Sequence, residues 1–311
     1  MVNYFYELMT KKPLLVVIAG PTAVGKTSMS IEVAQYLNCP IISCDSRQFY
    51  KELDIGVAKP SKEDLNLIPH YFIGNKSIHE LYSAGQFEND VLNWLDSYFK
   101  KSNIVIMTGG SGMYIDAVCN GLDELPKNEK IRSKLNEAFK AKGLVHLQEK
   151  LKKLDPKHFN KVDINNPQRV IRALEVCMST NKPYSSFLTN KKKIRPFKIV
   201  KILLHLNKEN LHNNIEKRTD QMIINGLLDE VRSLHQHRDC NALNTVGYKE
   251  IFKYFNEEIN YNEAIEEIKS NTKKYAKRQM TWFKRDKDYS WVDNNDRNLA
   301  FEEITSIIND Y

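Results

Sequence analysis

Residues 20 to 27 read Gly20-Pro21-Thr22-Ala23-Val24-Gly25-Lys26-Thr27, a complete G-x-x-x-x-G-K-[ST] phosphate loop, and they follow directly on the apolar run Leu14-Leu15-Val16-Val17-Ile18-Ala19. The residues after the loop, Thr27 to Leu37, place apolar side chains at helical spacing. Strand, glycine turn and helix in that order admit few folds. A buried strand delivers the chain into a turn where backbone N–H groups and the positive end of a helix dipole converge on a diphosphate. Gly20, Thr22, Ala23, Val24, Gly25, Lys26 and Thr27 are therefore the expected diphosphate-binding residues, with Lys26 as the cation and Thr27 as a hydroxyl suited to Mg²⁺.

With 311 residues there is room for one large domain or two ordinary ones. A hydrophobic content of 41% and a charged content of 27% are those of a globular chain. The apolar runs are strand-sized and too short to span a bilayer. The segment Met1 to Met9 lacks the basic start and long apolar core of a signal peptide, so a cytoplasmic protein without a membrane partner is expected. Cys39, Cys44, Cys119, Cys177 and Cys240 are odd in number and never spaced C-x-x-C, which supports neither a disulfide framework nor a zinc site. The net charge of +7 is modest, and its distribution says more than its sum.

Strand-like runs Pro40 to Asp45 and Asn103 to Gly110 alternate with helical stretches, which predicts a parallel sheet with crossover helices on both faces. Ligands of such sheets bind beyond the carboxyl ends of strands, so the loop, Asp45 and Gly109-Gly110 should share a cleft. From about residue 120 the pattern turns helical, with stripes Ile131, Leu135, Phe139 and then Leu144, Leu147, Leu151, Leu154, and a helix from Pro167 to Met178. The basic linker Asn190 to Pro196 precedes a new strand, Ile199 to Leu206. The expected fold is thus α/β: a phosphate-loop NTPase-like core with a parallel sheet flanked by helices, residues 13–118 and 197–311, interrupted by an all-helical insertion, residues 119–196.

A phosphate loop alone does not choose between kinase, ATPase and transferase. An ATPase would usually carry an acid after the strand Ile104 to Met107, which ends instead in Thr108-Gly109-Gly110-Ser111-Gly112. The acid belongs to the other strand, at Asp45, where an N-cap, a group orienting a metal or a general base are all compatible with the residues.

Four motifs taken together resemble the tRNA dimethylallyltransferases (tRNA isopentenyltransferases): the phosphate loop; Asp45-Ser46-Arg47-Gln48-Phe49-Tyr50 with Asp54-Ile55-Gly56-Val57-Ala58-Lys59-Pro60; Gly109-Gly110-Ser111-Gly112-Met113-Tyr114; and Gln168-Arg169-Val170-Ile171-Arg172-Ala173-Leu174-Glu175-Val176. Val246 to Glu250 and Tyr275 to Trp282 extend the likeness, which spans roughly residues 13 to 285 in family order. The resemblance implies transfer of a five-carbon prenyl group from dimethylallyl diphosphate to the exocyclic N6 of the adenosine on the 3′ side of the tRNA anticodon. It implies the phosphate loop as the donor's diphosphate site, Asp45 as the base for the N6 proton, and Lys26, Mg²⁺ on Thr27 and Arg218 as stabilisers of the leaving diphosphate. Catalytic roles thus fall to Asp45, Lys26, Thr27 and Arg218. Contacts to tRNA are implied for Asp45, Ser46, Arg47, Gln48 and Ser111, for Arg132, Gln168, Arg169 and Arg172 in the insertion, and for Gly247, Tyr248, Lys249, Lys273, Lys277 and Arg278. The insertion would meet the anticodon stem-loop, and a monomer is expected. Ser111 stands for the family's usual Thr and keeps a hydroxyl; Val57 stands for Thr and loses one; Lys273 stands where Arg is commoner.

Lys269, Lys273 and Lys277 repeat at i, i+4, i+8, a spacing that puts like charges on one helix face. Ile268, Thr272, Tyr275 and Gln279 form a separate stripe for packing, so the basic face is expected to be exposed and relieved by a phosphate backbone. The sequence is also compatible with three rival readings: a phosphate-loop kinase of a small metabolite, an isopentenyltransferase acting on free AMP or ADP, and a catalytically silent nucleotide-dependent RNA-binding module.

Overall fold

The computed structural model describes residues 12–189 and 191–311; the segment Met1 to Met9 and Asn190, both read above, lie outside them. The chain divides into two compact units, one made of the residues up to Cys119 and from Arg195 onward, the other of Asn120–Ile194.

The first unit is built on six parallel strands, β1 (Leu14–Ala19), β2 (Ile41–Ser43), β3 (His70–Tyr71), β4 (Ile104–Gly109), β5 (Lys198–His205) and β6 (Tyr289–Asp293), in the order β3-β2-β4-β1-β5-β6. All six residues of β1 are buried, as a central parallel strand covered on both faces requires. The period of two divides them. Val16 and Ile18 pack with Met29 and Val33 of α1 (Lys26–Leu37), while Leu15 and Val17 face Phe87 and Val91 on the other side.

A short α2 (Lys62–Leu67) leads to α3 (Ala84–Tyr98), which starts at a Ser83–Gln86 capping box and carries Phe87 and Val91. After β4, α4 (Gly112–Asn120) covers the same face with Ile115 and Val118.

The second unit is helical: α5 (Glu129–Leu154), α6 (Pro156–Phe159) and α7 (Pro167–Thr180). Gly143, at φ 75°, breaks α5 into two arms. Leu135, Leu147 and Leu151 pack with Val170, Ile171 and Leu174 of α7, whereas Leu154, expected in the same stripe, is 40% exposed because the helix ends there.

Four helices follow β5 in chain order: α8 (Lys208–Ile224), α9 (Leu227–Ser233), α10 (Tyr248–Phe255) and the long α11 (Tyr261–Phe283). They enclose a third apolar cluster around Leu227, Val231, Tyr248, Ile251 and Ile268. After β6, α12 (Arg297–Asn309) returns Ala300, Ile304 and Ile308 to the sheet. Among the described residues no helix is long and apolar enough to cross a membrane.

Candidate active site

The phosphate loop leaves β1 and enters α1 at Gly25, whose φ of 95° is open to glycine and strained for other residues; Ala23 adopts a left-handed φ of 65° as well. A Cβ on Gly25 would meet the Asn294 amide at 2.6 Å, so the glycine is also needed for space. Lys26 turns back over the loop and donates from Nζ to the Pro21 carbonyl (2.7 Å). Burial pulls its pKa from 10.5 down to about 8, a shift that the Asp45 carboxylate opposes and the Arg218 cation reinforces. Arg218, on α8, donates to the Thr22 hydroxyl (2.9 Å), and its own pKa is lowered by burial.

Asp45 lies two residues past β2. Its Oδ1 accepts the Arg47 N–H (2.9 Å), which fixes the carboxylate in an Asx turn and leaves Oδ2 with no hydrogen-bond partner among the described residues. The hydroxyl of Ser111 accepts the Ser46 N–H (3.1 Å), tying the loop after β4 to the loop after β2. Gln48 accepts from the Ser43 hydroxyl (3.1 Å) and donates to the carbonyls of Val57 (3.3 Å) and Ala58 (2.9 Å). Arg47 reaches the carbonyls of Asn241 (3.0 Å) and Asn244 (3.2 Å).

These segments surround a cavity of about 560 Å³. Thr22, Lys26, Thr27, Asp45 and Arg218 line it, and so do the apolar side chains of Val57, Ile215, Met222 and Ile268. From α11 come Asn271, Thr272, Tyr275, Arg278 and Gln279. Burial, and then the nearby Asp45 charge, push the Tyr275 phenol up to about 12, so it stays a neutral donor at ordinary pH.

The IPP transferase family pattern matches residues 48–286. The chain is 49% identical over 284 residues to tRNA dimethylallyltransferase 1 of Bacteroides fragilis, covering 91% of this chain and 94% of that one. The chain belongs to the tRNA dimethylallyltransferase family. Solved structures agree: a tRNA isopentenylpyrophosphate transferase of Staphylococcus epidermidis superposes with a TM-score of 0.70 at 31% identity, covering 96% and 99% of the two chains. A eukaryotic dimethylallyltransferase acting on tRNA superposes with a TM-score of 0.79 at 27% identity, covering 96% of this chain and 79% of its own.

Against that family background, the structure gathers most of the expected core residues in one place. The loop residues Thr22, Lys26 and Thr27, with Asp45, Ser46, Arg47, Gln48, Arg218, Gly247, Lys249 and Arg278, all line the cavity. Others differ from expectation. Tyr248 is fully buried and its hydroxyl donates to Glu230, so it braces the wall and offers no surface to a nucleotide. Lys269 and Lys273 are not a bare repulsive stripe: Lys269 pairs with Asp220 (2.9 Å) and Glu266 (3.4 Å), and Lys273 with Glu216 (2.6 Å), while Lys277 is exposed. Of the stripe expected to pack, Ile268 and Gln279 are buried, whereas Thr272 and Tyr275 are half-buried and line the cavity.

In the helical unit, Arg132 (3.4 Å) and Arg172 (3.0 Å) converge on the buried Glu175, and Arg172 also caps the carbonyls of Leu125 and Pro126. Arg169 pairs loosely with Asp163 (3.8 Å) and Gln168 lies beside Arg132. That unit carries 17 Lys and Arg against 8 Asp and Glu, a net charge of +9, which leaves 29 against 31, or −2, for the rest of the chain. Sequence reasoning that looked for charge along single helices missed this asymmetry.

For a divalent cation the residues present fit one type of site. Among the described residues no three His, Cys, Asp or Glu side chains converge as a metal cage. Thr27 offers an exposed hydroxyl at the cavity, the single hard ligand that Mg²⁺ uses when waters and substrate phosphates complete its shell.

Proposed function

We propose that this chain transfers a dimethylallyl group from dimethylallyl diphosphate to N6 of the adenosine on the 3′ side of a tRNA anticodon, releasing diphosphate. One observation carries the reading: a single cavity combines the cations Lys26 and Arg218, a carboxylate with an unused oxygen, and an apolar wall of Val57, Ile215, Met222 and Ile268. Burying five prenyl carbons against such a wall contributes roughly 4 kcal/mol. The relatives' names carry the same chemistry on tRNA.

As the C–O bond of the donor lengthens, the allylic carbon gains positive charge and the diphosphate gains negative charge. The Lys26 ammonium and the Arg218 guanidinium line the same cavity as the phosphate loop, where they would stabilise the growing charge of the diphosphate in the transition state more than the bound donor. The apolar wall keeps water from the carbocationic carbon. The N6 lone pair, delocalised into the adenine ring, forms the new C–N bond as the C–O bond breaks, and the N6 proton passes to Asp45 Oδ2. The Thr27 hydroxyl would hold Mg²⁺, which would supply further charge neutralisation at the diphosphate. The base must leave its stack to enter the cavity. The +9 helical unit supplies a phosphate-binding surface for the anticodon stem. We place the protein in the cytoplasm with its tRNA, as a monomer.

Labelled dimethylallyl diphosphate, Mg²⁺ and tRNA lacking the modification test the reading, with AMP as rival acceptor and ATP as rival donor. Label should enter tRNA alone; label on AMP, or phosphate transferred from ATP, would refute it.

A further inference from the structure

Three consecutive residues of the phosphate loop are each held by a carboxamide from a distant part of the chain. Gln279 accepts the Thr22 N–H (2.8 Å), Asn214 donates to the Ala23 carbonyl (3.2 Å), and Asn294 donates to the Val24 carbonyl (2.7 Å), across 257, 191 and 270 residues of sequence. Gln279 is the most enclosed of them, only 6% exposed, and its other end donates to the Gly110 carbonyl (2.9 Å). An N–H on one side and a C=O on the other fix the amide's orientation without ambiguity. A Cβ on Gly110 would lie 2.2 Å from Gln279 Nε2, so a glycine is needed there to admit this amide.

We propose that Gln279 is a positioning residue for the donor site. By taking up the Thr22 N–H it turns that amide away from the diphosphate and sets the Thr22 hydroxyl where it accepts from Arg218. Arg218 is thereby aimed into the cavity by a chain of two hydrogen bonds that begins on α11, the helix whose Thr272, Tyr275 and Arg278 line the same space. Ala23 and Gly25 hold left-handed conformations, and a loop of that shape persists only where its surroundings fix it. Without the carboxamide, the Thr22 N–H competes for a diphosphate oxygen, the hydroxyl rotates and Arg218 loses its acceptor. The inference rests on the reading that this loop binds the diphosphate of the prenyl donor.

Full-length Gln279→Met and Gln279→Glu proteins test it, with binding of dimethylallyl diphosphate measured by calorimetry in the presence of Mg²⁺ and tRNA affinity measured without donor. Methionine keeps the volume and loses both bonds, so donor affinity should fall by roughly 10- to 100-fold, with tRNA affinity within about twofold of wild type. Glutamate still accepts from Thr22 but faces the Gly110 carbonyl with a lone pair until it is protonated. Its donor affinity relative to wild type should therefore recover as pH falls, a response that mere loss of packing would not produce. Variants that bind donor as wild type does, or a glutamate defect independent of pH, overturn the proposal. A wild-type protein that does not bind the donor overturns the reading of the loop itself. Should both variants fail to fold, amide hydrogen exchange on the wild type decides. The Thr22 amide should be protected in the free protein and unchanged by donor while Val24 to Lys26 slow, and a Thr22 amide that exchanges freely refutes the assignment.

Discussion

Replacing Lys26 by methionine should separate function from stability. The ammonium is enclosed by the loop, and its pKa of about 8, against 10.5 when solvated, means that the folded protein holds a charge it would rather lose. Folding lowers this pKa, so between about pH 8 and 10.5 the unfolded chain binds more protons and wild-type stability rises with pH; below about 8 the full penalty is present. The shift corresponds to on the order of 3 kcal/mol, reduced to roughly 1–3 kcal/mol because the cavity admits solvent. Methionine removes that penalty, offset by roughly 1 kcal/mol for the lost bond to the Pro21 carbonyl. The variant should therefore melt no lower than wild type at pH 7. Donor binding goes the other way: a charge-assisted hydrogen bond to phosphate contributes roughly 1.5–3 kcal/mol, so affinity should fall about 10- to 150-fold. The prenyl-transfer rate should fall further, because negative charge on the diphosphate grows toward the transition state. Thermal melts and calorimetric titration with dimethylallyl diphosphate measure the two effects. A variant that melts several degrees lower, or that binds donor as well as wild type, would refute the reasoning.

Asp45→Asn keeps the Asx turn and removes the proposed general base, so single-turnover transfer should slow by roughly 10²–10⁴ with donor affinity nearly unchanged; a loss below tenfold would reduce Asp45 to orienting the adenine. The pH profile of kcat/KM for the donor should fall above about pH 8 as Lys26 of the free enzyme loses its proton, and Lys26→Arg should move that limb to higher pH; a wild-type profile flat to pH 9.5, roughly, would exclude Lys26 as the titrating group. Lys277→Ala should reduce the salt slope of tRNA binding by about one, whereas Lys273→Ala, whose ammonium is already neutralised by Glu216, should change it less; equal slopes for the two variants would contradict the pairing.

How much of this was legible in the sequence depends on the range of the interactions. The strand before the loop, the loop, the helix after it and the two insertion stripes, Ile131-Leu135-Phe139 and Leu144-Leu147-Leu151 with the exception of Leu154 in the second, are set by local periodicity and by a motif of contiguous residues, and these read correctly. Strands β3 and β6 did not. The first is two residues long, and the second buries only Tyr289 and Val292, so neither leaves an alternation that stands out. The site divides in the same way. Lys26, Thr27 and Asp45 sit in local signatures, but Gln279 read as one more packing residue because its partners are the Thr22 N–H and the Gly110 carbonyl, far away in sequence. Tyr248 lies in a segment that matches the family and is nevertheless spent on Glu230, whose carboxylate also accepts the N–H groups of Asp54, Ile55 and Gly56. Lys269 and Lys273 looked unpartnered because Asp220, Glu216 and the lysines belong to different helices, α8 and α11.

The central claim is that one cavity joins the leaving diphosphate to a flipped adenosine. Its most direct test is a single-turnover reaction of wild-type protein with dimethylallyl diphosphate, Mg²⁺ and one unmodified tRNA, followed by nuclease digestion and mass spectrometry of the fragments together with a diphosphate assay. The account predicts one dimethylallyl group per tRNA, on N6 of the adenosine 3′ to the anticodon, with diphosphate released in equal amount. Modification of another base, or diphosphate released at the same rate without tRNA, would contradict it.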